Sequence, residues 1–256
     1  MSSYSHPDTA ALVLAAGMGK RMNGDLAKVL HPMAGRPLLA HVLATLDELG
    51  VGRRVVVIGH QRERVQAAFA DRTDLEWAIQ AEQRGTGHAC MMAEPSLGEF
   101  GGTLLVVCGD TPLLTARTLH ALLETHASSG ASVTVLSMRL PDPHGYGRIV
   151  RSADGAGIER IVEEKDATPA QRAIDEVNSG IYAFRYPSLT GVLSKLTAAN
   201  SQGEYYLTDT VSLLQERGER AAVVCADDHR ELLGINTVDQ LSEAEAVWLD
   251  MRKGRG

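Results

Sequence analysis

Residues 10–14, Ala-Ala-Leu-Val-Leu, make a short, wholly apolar run, and the chain turns at once into small and cationic residues. A run this short, apolar on both faces, reads as the first strand of a parallel sheet covered by helices. From Leu14 it continues Ala15-Ala16-Gly17-Met18-Gly19, then Lys20, Arg21 and, further on, Lys28. Small residues let a backbone approach a ligand closely, and free N–H groups beside cations suit phosphate oxygens. Two familiar nucleotide loops do not fit: a Rossmann G-x-G-x-x-G needs a third glycine where Met22 stands, and a Walker A loop needs four residues between its glycines. The stretch reads as a polyphosphate loop of a third kind, set against the plainer alternative of a glycine turn with solvated cations.

Strand-like and helix-like segments then alternate, which predicts βαβ units with right-handed crossovers. Pro37 starts a helix with Leu38, Leu39, Val42, Leu43 and Leu46 at helical spacing, and Gly50 ends it. Val55–Ile58 is a buried strand, followed by a helix over about 61–69 and a strand over 75–79. The polar turn Gln80–His88 precedes a helix predicted from near Ala89. There the amides of Gln80 or Gln83 offer the paired donor and acceptor that read a base edge, though on this segment alone an ordinary loop is the better reading. Thr103–Cys108, the most apolar strand, runs into Gly109-Asp110-Thr111-Pro112. Ligands of open α/β sheets bind beyond the carboxyl ends of strands, so Asp110 is placed with the first loop. A carboxylate there suits a hard cation such as magnesium; the competing role is an N-cap for the helix starting near Thr115. A helix over about 116–128 and a strand at 133–138 follow. Residues 142–178, polar and glycine-rich with Glu163-Glu164-Lys165-Asp166, read as an insertion over the sheet that holds a second substrate. Strands at 177–184 and 221–225, helices near 189–196 and 207–217, an apolar strand over 232–235 and a closing helix at 237–251 complete the pattern.

The net charge of −7 argues against a general nucleic-acid or membrane-surface binder, so an anionic substrate must be met by local cations. Cys90, Cys108 and Cys225 follow no disulfide or zinc spacing. With neither a transmembrane-length apolar stretch nor a signal-peptide core, the expectation is a soluble, cytoplasmic protein.

Further motifs follow in order: Lys28-Val-Leu-His31, Ala81-Glu-Gln-Arg-Gly-Thr-Gly-His-Ala89, Gly109-Asp-Thr-Pro-Leu113 and Gly145-Tyr-Gly-Arg-Ile149. Ile161-Val-Glu-Glu-Lys-Asp-Ala167, Val177-Asn-Ser-Gly-Ile181, Gln202-Gly-Glu-Tyr-Tyr206 and Gly234-Ile-Asn236 come after them. Together with Leu-Ala-Ala-Gly-x-Gly-x-Arg-Met at the start, they closely resemble the uridylyltransferase domain of bacterial bifunctional N-acetylglucosamine-1-phosphate uridyltransferase/glucosamine-1-phosphate acetyltransferases. The resemblance covers nearly the whole chain. It implies an α/β, Rossmann-like nucleotide-diphospho-sugar transferase fold with a mixed, mostly parallel sheet, helices on both faces and a sugar-binding insertion. The organisation expected is one nucleotidyltransferase domain over 1–256: a nucleotide half at about 9–140, a sugar half at about 141–236 and a closing helix. The implied reaction transfers UMP from UTP to N-acetylglucosamine-1-phosphate with Mg2+ and releases pyrophosphate. Leu14, Ala15, Ala16 and Gly17 would hold the nucleotide, together with Cys108 and Gly109. Gln80, Gly85 and Thr86 would recognise uracil, and Arg21 and Lys28 would act on the phosphates. Gly147, Glu163 and Asn178 would grip the sugar, with Tyr206 and Thr208 in the wall; Asp110 and Asn236 would be the magnesium ligands.

Two departures stand out. Some relatives carry a tyrosine at the position of Cys108, and this sequence lacks the hexapeptide repeats of a left-handed β-helix, so no acetyl transfer from acetyl-CoA is expected of it. Rival readings are a transferase of the same fold for another sugar-1-phosphate or NTP, and a non-catalytic UDP-sugar-binding module. A NAD enzyme is disfavoured by Met22 and by Gly59-His60, where an acidic residue would hold the ribose. The sequence leaves the oligomeric state open.

Overall fold

A computed structural model describes residues 4–19, 22 and 26–253. Strand β1 (His6–Leu14) leads to a 3-10 turn at Lys28–Leu30, a ribbon of β2 (Pro32–Met33) and β3 (Arg36–Pro37), and helix α1 (Leu38–Leu49). Then come β4 (Val51–Ile58), α2 (Arg62–Ala68), β5 (Leu75–Ile79), α3 (Thr86–Leu97), β6 (Thr103–Cys108) and α4 (Ala116–Ser129). The second half carries β7 (Val133–Arg139), β8 (Arg148–Arg151), β9 (Ile158–Val162), α5 (Pro169–Arg172) and β10 (Glu176–Arg185). It closes with α6 (Tyr186–Leu193), α7 (Asp209–Glu216), β11 (Ala221–Cys225), a 3-10 turn at His229–Leu232 and α8 (Val238–Lys253).

Nine strands form one sheet in the order β11-β7-β10-β6-β1-β4-β5, with β8 and β9 branching from β10. On the main path β10 is antiparallel to both its neighbours, and the other strands run the same way. The alternation of side chains along β1 explains why both faces need helices. Ala11 and Val13 point to a core with Leu39, Val42 and Leu46 of α1 and Leu119 and Leu122 of α4. Ala10 and Leu12 point to an opposite core with Ala89 and Ala93 of α3, Leu189 and Val192 of α6, and Val211 and Leu214 of α7. Each buried leucine or valine stabilises this arrangement by roughly 1.5–3 kcal/mol relative to exposure. Helix α8 makes a third, smaller core through Ala244, Leu241 and Trp248 on Met33, Leu38 and Leu113. Glu245 fastens it by accepting the Ala34 N–H at 2.8 Å. Among the described residues no helix is long and apolar enough to cross a membrane.

Most of the expected elements are present, and three differ. Helix α3 starts at Thr86 rather than near Ala89, because Gly85 adopts φ of 102° and its carbonyl accepts the Ala89 N–H at 3.2 Å. A Cβ on Gly85 would meet the Tyr205 carbonyl oxygen at 2.5 Å, so this early start requires glycine. No strand forms over 232–235; the segment leaves its 3-10 turn and lies against Asp110, whose carbonyl accepts the Ile235 N–H at 2.9 Å. The polar insertion is built into the sheet rather than hung over it, since β8 pairs with β10 at Val177 and with β9 along its length.

Asp110 does not cap α4. Thr115 does, accepting the Thr118 N–H at 3.3 Å and donating its hydroxyl to Glu231 at 2.8 Å. Glu231 is buried and also accepts the Thr118 hydroxyl, so this pair ties the 229–232 turn, and the segment after it, to α4. Replacing Thr115 by valine keeps the shape but removes both bonds. The urea midpoint should fall by the equivalent of about 1–2 kcal/mol at unchanged slope; an unaltered midpoint would show that the cap does not secure this turn.

Candidate active site

Strands β1, β4, β5 and β6 all end on one edge of the sheet, and their loops build the site there, as the topology of an open parallel sheet requires. Two clefts open on that edge. The first is lined by Leu14, Ala15, Ala16, Gly17, Lys28, Gln80, Gly85, Thr86 and Cys108, nine of the ten residues expected to hold a nucleotide. The tenth, Gly109, lies beneath them with its N–H on the Leu14 carbonyl at 2.9 Å. Arg21, expected to face the phosphates, lies outside the described residues, as does Lys20.

The glutamines of the 80–88 turn brace this cleft. Gln80 is buried; its amide nitrogen donates to the Gly85 carbonyl at 2.9 Å and lies 3.1 Å from His88 Nδ1. Gln83 donates to the Ala16 carbonyl at 2.7 Å, joining the turn to the first loop. The donor half of both amides is thus committed to protein carbonyls, so their polar capacity toward the cleft rests on the side-chain oxygens. The Thr86 hydroxyl accepts the Leu207 N–H at 3.2 Å and so links this wall to the chain's second half.

The second cleft lies on the other side of Cys108 and Asp110, which line both, and it is walled by Tyr146, Ser179, Gly234, Asn236 and Gln240. At the junction the Lys28 ammonium donates to Asn236 Oδ1 at 2.7 Å and forms an ion pair with Asp110 Oδ2. The two residues expected to ligate a metal thus present oxygens to a single cationic centre. Among the described residues no group of three or more His, Cys, Asp or Glu side chains gathers to hold a metal ion. A cation held by this pair would complete its shell with water or phosphate oxygens, the habit of Mg2+ rather than of zinc. The oxygen donors therefore fit the implied metal. Beside them, burial and the Asp110 carboxylate push the Cys108 thiol up to about 12, which leaves it protonated and a poor nucleophile at neutral pH.

The expected sugar-side residues gather around Glu163. Thr208 donates to Glu163 Oε1 at 3.0 Å, and a Cβ on Gly147 would lie 3.4 Å from Glu163 Oε2, so glycine keeps that side of the carboxylate open. The Gly147 carbonyl accepts the Asn178 N–H at 2.8 Å. Asn178 sits just before a bulge in β10, where the register with β7 slips between Asn178 and Ile181. Gly180 takes up the bend at φ of 79°, and its N–H meets Asn178 Oδ1 at 3.1 Å. The Asn178 amide donates to the Tyr182 hydroxyl at 2.7 Å. Tyr206 is turned away from this group: its hydroxyl donates to Asp166 at 3.2 Å, and it shares an outer cavity with Glu163, Asp166 and Asp209.

Residues 11–176 match the family model for the MobA-like NTP transferase domain. This chain belongs to the MobA-like NTP transferase family. Its fold is accordingly the Rossmann-like one of nucleotide-diphospho-sugar transferases. As an NTP transferase domain it is similar to proteins named bifunctional protein GlmU. In Heliobacterium modesticaldum the identity is 50% over 240 residues, covering 94% of this chain and 52% of the relative. In Streptomyces griseus it is 52% over 240 residues, 93% of this chain and 50% of the relative. In Exiguobacterium sibiricum it is 48% over 243 residues, covering 95% and 53%. The chain spans about half the length of the curated relatives it matches.

Among the polar residues of the two clefts to which the sequence reading gave no role are Glu204, Thr111 and Gln240. Glu204 lines the first cleft, Thr111 fixes the β6 turn by donating to the Cys108 carbonyl at 2.8 Å, and Gln240 lines the second cleft. Thr111 and Glu204 lie within quoted motifs without a role of their own, and Gln240 carried the Thr237-x-x-Gln240 spacing of a helix start.

Glu163, expected at the sugar, also bears on stability. Burial, and then the Asp209, Asp166 and Glu204 carboxylates, raise it above its ordinary 4.5, against the hydrogen bond from Thr208. A carboxyl raised on folding binds its proton more tightly in the folded state. It therefore subtracts stability at neutral pH, and the deficit is relieved as pH falls through the raised value towards 4.5. Glu163→Gln should melt higher than wild type at pH 7.5, with the difference narrowing towards pH 4.5. A lower melting temperature at pH 7.5 would mean that the charge is compensated in the fold.

Proposed function

We propose that this chain transfers UMP from UTP to N-acetylglucosamine-1-phosphate, forming UDP-N-acetylglucosamine and pyrophosphate, with Mg2+ as its cofactor. The observation that carries this reading is the convergence of Asp110 and Asn236 on one cationic centre between two clefts. It is supported by about half identity, across nearly the whole chain, to proteins named for a bifunctional GlmU.

The acceptor is a phosphate monoester with a second pKa of about 6, mostly dianionic at pH 7, so no protein base has to activate it. The obstacle is charge: two unit negative charges about 4 Å apart repel by roughly 4 kcal/mol at an effective dielectric of 20. The reading therefore assigns catalysis to positioning and neutralisation, as in other transfers at phosphorus. In this reading the first cleft holds UTP, with the Gln80 oxygen, Gly85 and Thr86 at uracil and the Leu14–Gly17 backbone along the ribose and phosphates. Lys28 exchanges its carboxylate and amide partners for phosphate oxygens, and Arg21 joins it against the charge building on pyrophosphate. Glu163, Asn178 and Gly147 take the amino sugar, with Thr208 orienting Glu163 and Tyr206 closing the wall behind it. Cys108 stands between the two substrates as a neutral spacer. When bound to Asp110 and Asn236, Mg2+ supplies positive charge to the α-phosphate and the acceptor phosphate. A reducing cytoplasm suits the three free thiols.

Pyrophosphate release measured over a panel of NTPs and sugar-1-phosphates, with and without EDTA, tests this. UTP with N-acetylglucosamine-1-phosphate should be the preferred pair and EDTA should stop it; preference for another pair would reassign the substrate, and release in EDTA would remove the metal. Asp110→Ala should lower kcat by about 10³-fold at an unchanged melting temperature, and near-normal turnover would take Asp110 out of the site.

A further inference from the structure

Asn236 lies in neither a strand nor a helix, two residues before α8, in a segment with no strand partner. Its carboxamide is nonetheless oriented: Oδ1 accepts from Lys28 at 2.7 Å and Nδ2 donates to the Gly234 carbonyl at 3.3 Å. The backbone beneath it is held on both sides. On one side the Ile235 N–H donates to the Asp110 carbonyl at 2.9 Å. On the other the Asn236 N–H donates to the side-chain oxygen of Gln240 at 2.7 Å.

The second bond departs from ordinary helix capping. In a capping box the fourth residue reaches back to the N–H of the cap residue itself. Here the Gln240 N–H does meet the Thr237 hydroxyl at 3.2 Å, the usual half of the box. The Gln240 side chain, however, passes Thr237 and takes the N–H of Asn236, while lining the second cleft beside Asp110 and Asn236. Helix α8 is in turn anchored through Leu241, Ala244 and Trp248, so Gln240 connects a packed helix to a residue in an irregular segment.

We infer that Gln240 is a positioning residue for the cation site: its side-chain oxygen fixes the Asn236 backbone so that Oδ1 faces the same centre as Asp110. The inference rests on the assignment of Asn236 as a cation ligand, and its test is made independent of turnover. Mn2+ binding to the UTP-loaded protein is followed by electron paramagnetic resonance for wild type, Gln240→Met, which removes the acceptor at similar bulk, and Gln240→Glu, which keeps it. Gln240→Met should weaken Mn2+ binding about tenfold, the scale of lost support behind a metal ligand, and raise the Mg2+ needed for half-maximal pyrophosphate release. Gln240→Glu should restore both.

Wild-type Mn2+ affinity in Gln240→Met, including the case where only its melting temperature falls, would mark a plain helix cap and overturn the inference. Equal impairment in Gln240→Glu would assign the loss to the amide nitrogen and overturn it too. A wild-type protein that binds no Mn2+ with UTP present overturns the inference together with the cation site. If wild type binds Mn2+ but forms no UDP-sugar, the substrate reading fails, and the comparison of variants still decides the role of Gln240.

Discussion

One ammonium nitrogen organises this molecule's working edge. Lys28 reaches Asp110 at the end of the central strand and Asn236 just ahead of the last helix, a partner 208 residues further along the chain. A carboxylate set among half-buried loops is costly unless paired, and the pairing draws three distant segments to one point. The opposed cores on the two faces of the sheet fix β6 and hence Asp110. The Thr115–Glu231 tie and the docking of α8 bring the 234–236 segment to meet it.

The sheet explains why the clefts lie side by side. Parallel strands β1, β4, β5 and β6 deliver their loops to one edge, and the loops after β1, β5 and β6 line the first cleft, the one proposed to take the nucleotide. The reversed strand β10 approaches the same edge from the opposite direction, so Asn178, just before its bulge, lies beside Gly147, the residue ahead of β8. A purely parallel sheet would not bring that early part of β10 there. The group around Asn178, proposed to take the sugar, thus depends on the one reversal in the main path.

What could be read in the sequence follows from how local each cause is. Strands β5, β6 and β11 lie where the sequence places them; in β6 the reason is that a doubly covered strand advertises burial in consecutive side chains, Leu104 to Val107. The nine cleft residues from Leu14 to Cys108 follow strand ends, so their common position is implied by topology. The start of α3 was misplaced because it is set by the approach of Tyr205 to Gly85, a contact that no window around residue 85 contains. The strand expected over 232–235 rested on apolar residues that pack elsewhere: Leu232 and Leu233 in the core shared with α1 and α4, Ile235 in the smaller core under α8. Asn236 became visible only through family resemblance, since a lone Asn before a helix reads as a cap. Gln80 and Gln83 stood in the sequence as possible base readers against an ordinary loop, and the bond of Gln83 to the Ala16 carbonyl, 67 residues away, could not be read there.

The hydroxyl of Thr86 belongs to the first cleft, yet it is spent on the backbone of Leu207, two residues after Tyr205 and one before Thr208. The turn proposed to read the base and the wall proposed to stand behind the sugar therefore share a seam. Chimeras that swap acceptor preference among relatives would have to transplant residues 203–208 together with the 80–88 turn, because either segment moved alone would carry half of a joint cut for the other.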